Sequence, residues 1–450
     1  MKKYLTGFYG FIILTSFISC SKLVETGVPK TQLTTANVFN DDQSATAVVS
    51  SIYAQFNTGI SGNVSTHFGL YTDELNTTSS NASTLEYYNG SVSAINSTNL
   101  MVWRGFYSVI YQCNALLERI DDVPAITNAV RKQLKGECLF LRALCLFYSV
   151  NIYGDIPLLV TTDLGVTSVA PRSTVTEIYQ QIEKDLQDAK MLLPETYVNA
   201  EKVRANKWAV AALQSRVYLF QKKWVQAEAA ATEVIASGIY DSSIPLNSIF
   251  LKNSKETILQ FWTQNGFTQT GNLFIPSGSS TPGYFLPDGL LNSFEIGDQR
   301  KTAWLKTAVI GVQSYTYPYK YKNRSTTTGI NAEYVMLLRL SEQYLNRAEA
   351  RAEQDNLTGA KADLDVIRIR AGLPNSIAVT KNALLLLIEQ ERKVEFFGEW
   401  GQRFFDLKRT ERLTIINQAI KPNWKAGSVL LPIPQYEVLN NPNLQQNPGY

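Results

Sequence analysis

Apolar side chains recur every three or four residues along most of this chain, which is helical spacing. Within 129–153, Leu134, Cys138, Leu141, Cys145, Tyr148 and Ile152 form one stripe, and Phe140, Ala143, Phe147 and Val150 form a second. Two stripes on one helix predict burial on most sides. Gly154-Asp155-Ile156-Pro157 supplies its stop. Asp41-Asp42-Gln43 opens an earlier helix through Phe56, and Trp103, Phe106, Ile110 and Leu117 mark another over 100–120. The stretch 57–99 is rich in Gly, Ser, Thr and Asn and reads as loop. Ser173-Thr174-Val175-Thr176-Glu177 begins a further helix with an N-cap and an early acid, and Pro194 ends it.

Two helix hairpins follow, 205–220 with 225–237 and 336–353 with 357–371. They superpose in sequence at an offset of 133, with Trp224 on Leu357, Ala227 on Ala360, Ala231 on Leu364 and Val234 on Ile367. Small residues at one helix crossing and large ones at the next suit tetratricopeptide-type stacking, although any antiparallel pair wants small residues where backbones approach. Between the hairpins, 241–335 loses the helical period. It holds a strand-like segment, Glu256 to Trp262, then a Gly/Ser/Thr/Pro-rich run over 263–283. Next come Tyr315, Tyr317, Tyr319 and Tyr321, whose period of two puts them on one face of an extended segment. A last helix is predicted over 383–411, before a polar, proline-rich tail. The expected fold class is mainly α: a tetratricopeptide-like helical-hairpin scaffold over 41–240 and 336–411 with an irregular, partly β lobe over 241–335.

Composition narrows the chemistry. A balance of 42 basic against 39 acidic residues gives no basic excess for a nucleic-acid partner. The single histidine, His67, cannot build a two- or three-histidine zinc site. It lies in a polar stretch without a nucleophile motif and reads as a surface or loop residue. No GxxxxGK[ST] and no strand-linked GxGxxG is present, so nucleotide chemistry has no support. No cofactor and no metal is expected. Lys2 and Lys3 precede an apolar run, Tyr4 to Ile18, that is shorter than the ~20 residues of a membrane span. It ends in Phe17-Ile18-Ser19-Cys20, which resembles a bacterial lipoprotein signal over 1–19 with Cys20 as the lipidated residue. An ordinary secretory peptide cut nearby is the alternative. Cys138 and Cys145 stand seven apart on one predicted helix, about 10.5 Å along its axis, too far for a mutual disulfide.

Several segments in order resemble the SusD/RagB family of outer-membrane lipoproteins. They are Gly136-Glu137-Cys138-Leu139-Phe140-Leu141-Arg142-Ala143 leading to Tyr153-Gly154-Asp155-Ile156-Pro157-Leu158; Pro171-Arg172-Ser173-Thr174; and Arg339-Leu340-Ser341-Glu342 with Ala348-Glu349-Ala350. The C-terminal ones are Glu391-Arg392 through Glu395-Phe396, Gly398, Arg403 to Arg409, Leu431-Pro432-Ile433-Pro434 and Asn447-Pro448-Gly449-Tyr450. The resemblance covers nearly the whole chain after the leader and implies one SusD-like domain over 20–450. It implies that the irregular lobe carries the ligand site and that the protein binds nutrients without catalysis. It further implies an oligosaccharide, in some members a peptide, as cargo, and a SusC-like TonB-dependent transporter as partner. The location implied is the outer membrane, through a lipid anchor, facing the exterior. Glu391, Arg392, Glu395, Arg403, Asp406 and Arg409 share a helix with Val394, Phe396, Phe397 and Leu407, and read as ion pairs locking that helix in place.

A sugar ring offers apolar C–H faces and a hydroxyl rim, so its site should combine aromatic planes with amides or carboxylates on loops. Two segments fit. The first holds Tyr71, Asp73, Glu74, Asn76, Tyr87, Tyr88 and Asn89. The second holds Trp262, Gln264, Asn265, Phe267, Phe274, Tyr284 and Phe285, together with Tyr315, Tyr317 and Tyr319. Trp103, Trp208, Trp224 and Trp400 sit at helical spacing and are expected in the core. Two other functions stay open. One is a glycoside hydrolase using Asp73 and Glu74, disfavoured because adjacent acids rarely face each other across a substrate. The other is a tetratricopeptide-type scaffold that recruits proteins.

Overall fold

The computed structural model describes residues 40–450. The expected signal over 1–19 and the lipidation site at Cys20 lie outside the described residues. Three long helices, α1 (Asp42–Phe56), α4 (Ser97–Leu117) and α5 (Asn128–Tyr153), and two short ones, α2 (Gly62–Leu70) and α3 (Ala82–Tyr88), lead the described chain. Every residue of α5 from Gly136 to Val150 is buried, as its two stripes require. The charges inside α5 are paired. Arg142 meets Asp185 through two hydrogen bonds of 2.8 and 2.7 Å, and Glu137 meets Arg204. Cys113, Cys138 and Cys145 are buried free thiols.

Helix α6 (Val175–Leu192) begins in the expected capping box: Thr174 accepts from the Glu177 N–H, and Glu177 accepts from the Thr174 N–H. Replacing Thr174 with alanine is expected to cost about 1 kcal/mol. A chemical-denaturation midpoint unchanged from the parent would contradict this. Helices α7 (Lys207–Phe220) and α8 (Trp224–Ala236) form one hairpin. After the irregular lobe, α10 (Leu340–Glu353) and α11 (Leu357–Arg370) form the next, with α9 (Gln269–Phe274) inside the lobe. Helix α5 packs on α4 and α6, α7 on α8, α8 on α10, and α10 on α11. The two hairpins therefore stack directly although the lobe separates them in sequence. Alanines 227, 231 and 360 are buried at these crossings.

Four expectations are corrected. Residues 57–70 are helical: a π-turn, Asn57–Ser61, joins α1 to α2. Their polar residues bond within the helix, Ser61 Oγ to the Asn57 carbonyl and Thr66 Oγ1 to the Gly62 carbonyl. Eight of the nine residues from Gly62 to Leu70 are buried, and burial overrides the loop-like composition. His67 is consequently an interior residue on α2, with burial pushing its imidazole down to about 4. The hairpin does not begin at 336, because β6 (Val335–Arg339) pairs antiparallel with β2 (Thr257–Phe261) and is buried at every position. The last helix breaks into α12 (Lys381–Phe396) and α13 (Gln402–Arg409). The break is a turn in which Gly398, Trp400 and Gly401 all take positive φ.

This turn faces the densest group of buried charges. Arg339 reaches Glu256, Glu395 and Glu399; Arg300 reaches Asp298, Glu391 and Glu395; and Lys320 reaches Glu399. These pairs fasten the lobe to α12. Arg392 and Arg409 share Asp406, as expected of that helix. Trp103, Trp208 and Trp400 lie in the core, and Trp224 is partly exposed. No helix among the described residues is long and apolar enough to cross a membrane.

Candidate ligand-binding surface

Two segments far apart in the sequence meet in a short ladder. Strand β1 (Asn76–Thr77) pairs antiparallel with β3 (Tyr284–Phe285), Asn76 opposite Phe285 and Thr77 opposite Tyr284. Thr77 Oγ1 donates to the Gly283 carbonyl (2.8 Å) and Thr78 Oγ1 to that of Pro282 (2.9 Å). The lobe continues through a hairpin, β4 (Leu305–Ile310) with β5 (Gln313–Pro318), whose two-residue turn places Gly311 at φ 61°. The Leu286 N–H donates to the Thr316 carbonyl (2.7 Å), which joins β3 to β5.

Alternation along β3 sends its two rings opposite ways. Tyr284 is half-buried, edge-on to Phe274 with centroids 6.0 Å apart, and packs against the main core. Phe285 meets Tyr315 edge-to-face at 5.2 Å and 85°, both half-buried. The loop after β1 adds the exposed Ser80 and Asn81, the latter with its Oδ1 capping α3 by accepting from the Thr84 N–H. Aromatic C–H-binding faces thus stand beside neutral polar groups.

The other candidates are distributed differently. Tyr71 and Tyr87 have no exposed surface: the Tyr71 hydroxyl donates to the Ser428 carbonyl (2.9 Å), and Tyr87 packs on His67, Phe68 and Tyr71. They cannot meet a ligand here. Asp73 is engaged by Arg403 and Lys393. Burial opposes its ionisation, yet these cations hold its carboxyl well below the usual carboxylate range. Glu74 is buried on the Gly398 N–H (3.0 Å), and desolvation pushes it up to about 7. Asp73 is committed to two cations and Glu74 to a backbone N–H, an arrangement that gives the hydrolase reading no free acid–base pair. Tyr88 is half-buried beneath the Lys421 ammonium (4.8 Å), and Asn89 caps α3.

The tyrosine ladder also divides. Tyr317 and Tyr321 are buried, and the Tyr321 hydroxyl accepts from the Met336 N–H (3.0 Å). Tyr319 lies past the strand end, its ring near the Lys306 and Lys322 ammoniums at 5.0 and 5.4 Å. Trp262, 51% exposed, and the exposed Asn265 sit at the other end of α9, beside 325–333. There Gly266 is required: a Cβ would lie 1.9 Å from the Thr327 carbonyl oxygen. Thr77 and Thr78, which bind the two segments together, carried no signal beyond their place in a Ser/Thr/Asn run.

Comparison with known proteins bears on this geometry. A family model described as starch-binding associating with outer membrane matches residues 24–219, and the SusD family model matches 297–450. SusD-like protein P38 of Formosa agariphila is 23% identical over 433 residues, 82% of this chain and 83% of that protein. The starch-binding protein SusD of Bacteroides thetaiotaomicron is 24% identical, covering 74% and 75%. Among solved structures, a SusD-like protein of Bacteroides fragilis superposes with TM-score 0.79 at 24% identity, covering 92% of this chain and 98% of that one. A laminarin binding SusD-like protein gives 0.78 at 25% identity, covering 92% and 100%.

Proposed function

The chain belongs to the SusD/RagB family, and from that premise we propose that it binds an oligosaccharide at the cell surface and passes it, unaltered, to a SusC-like TonB-dependent transporter of the outer membrane. The observation that carries the reading is the Phe285–Tyr315 ring pair, held at the surface by the β1–β3 ladder. Two rings at right angles offer one face to a pyranose and an edge to its neighbour. The amides and hydroxyls around them suit its hydroxyl rim. The starch-binding and laminarin binding relatives support a glucan as the first class to try. A lipid on Cys20 would tether the protein to the outer membrane, facing outward.

Calorimetry with maltoheptaose and laminarihexaose tests this. The double change Phe285→Ala and Tyr315→Ala is expected to weaken binding by ~10–30-fold, two ring contacts at roughly 1 kcal/mol each. Tyr111→Ala, at an exposed tyrosine on α4, should leave it unchanged. Equal affinity for the parent and the double variant overturns the site, and glucan cleavage by the purified protein overturns the function.

A further inference from the structure

A cavity of about 890 Å³ opens between the 242–247 segment, residues 299–303 and the C-terminal end of α11. Its volume falls in the range of small-molecule sites, roughly 300–1,000 Å³. It shares no residue with the Phe285–Tyr315 surface. Ser242, Asn247, Gln299 and Thr302 contribute hydroxyls and amides, which both donate and accept, while Ile244 and Ile369 contribute aliphatic surface.

One charged residue belongs to the wall, Arg370, whose side chain is 3% exposed. Its Nη1 donates to Glu256 (2.7 Å) and Ser341 (2.6 Å), and its Nη2 donates to Glu395. Its Nε is buried and has no hydrogen-bond partner among the described residues. That nitrogen has essentially no accessible surface, so Arg370 closes the wall rather than offering a donor, and the accessible polar groups are the neutral ones. Two carboxylates already balance the guanidinium, so a further anion gains little. The wall holds no acid that would attract a cation. Neutral groups with both donors and acceptors, backed by aliphatic C–H surface, match an uncharged polyol. We propose that this cavity is a second binding site, for a neutral saccharide of one to three rings. The ligand class follows from the lining alone and stands whether or not the aromatic surface binds glycan.

The full chain, ¹³C-labelled at isoleucine methyls, is titrated with maltotriose, laminaritriose and cellotriose. Ile244→Val and Ile369→Val assign the two reporter signals. At least one trisaccharide is expected to shift both signals saturably at millimolar concentration. The response should persist when Phe285 and Tyr315 are alanine. Thr302→Trp, at an exposed position on the rim, should weaken it at least tenfold with the thermal midpoint unchanged. Ser242→Trp, a second obstruction, should do the same. Three results overturn the site: no movement of either methyl with any of the three sugars, loss of the response in the Phe285/Tyr315 variant, or an equal response to citrate.

Discussion

Replacing Arg339 with methionine is expected to lower folding stability by about 3–5 kcal/mol. Its Nε donates to Glu399 (2.9 Å), its Nη1 to Glu256 (2.8 Å) and Glu395 (2.5 Å), and its Nη2 to the Glu395 carbonyl (2.9 Å). The side chain is 3% exposed and lies over Phe396 at 4.5 Å. Methionine fills most of the volume but removes the charge, leaving three buried carboxylates closer to imbalance. Arg300, Arg370 and Lys320 remain nearby and limit the loss. Lysine at 339 keeps the charge without the planar fork and should recover only part of the stability. The guanidinium-chloride midpoint, at constant slope, reads the effect. A loss below about 1 kcal/mol, the scale of an exposed pair, would show that the neighbouring cations substitute for it.

Glu74→Gln is expected to stabilise the protein at alkaline pH. Burial is the largest influence on this carboxyl and raises it to about 7, with Asp73 adding repulsion; the Gly398 N–H, Lys320 and Arg403 pull the other way. The unfolded chain releases this proton near the ordinary value of 4.5. Between these values the folded protein holds a proton that the unfolded chain does not. The stabilisation is therefore complete below 4.5 and lost as pH rises through 7. The full difference is about 3 kcal/mol. Glutamine still accepts from the Gly398 N–H but cannot ionise. Variant and parent should match in mild acid, and the variant should be more stable by about that amount near pH 8. Glu333, also raised to about 7 by burial, leaves some slope in both. Parallel stability curves from pH 5 to 8 would refute the assignment.

Helices carried by regular stripes, such as α5 and the α7/α8 hairpin, were legible because burial on a helix writes a period into the sequence. Where tertiary contact decides, that period fails. Residues 57–70 look like loop in composition, yet side-chain hydroxyls bonded to the helix's own carbonyls let them pack as interior helix. Val335 to Leu338 is apolar throughout, and such a run fits a buried strand as well as a helix; only its partner at 257–261 decides. For the site, composition named Phe285 and Tyr315 as candidates but could not separate their half-buried placement from that of the buried Tyr71 and Tyr317. Aromatic rings stabilise interiors and surfaces alike, and the distinction lies in strand parity and in contacts across the chain.

The ladder joining β1 to β3 has a consequence for how the molecule is made. Its two edges lie more than 200 residues apart, so a loop of that length must close before β1 can pair, whereas Phe285 and Tyr315 both come from the lobe. A growing chain would hold β1 unpaired until the intervening helices and the lobe had been made. Completion of this ladder is thereby a late event in folding.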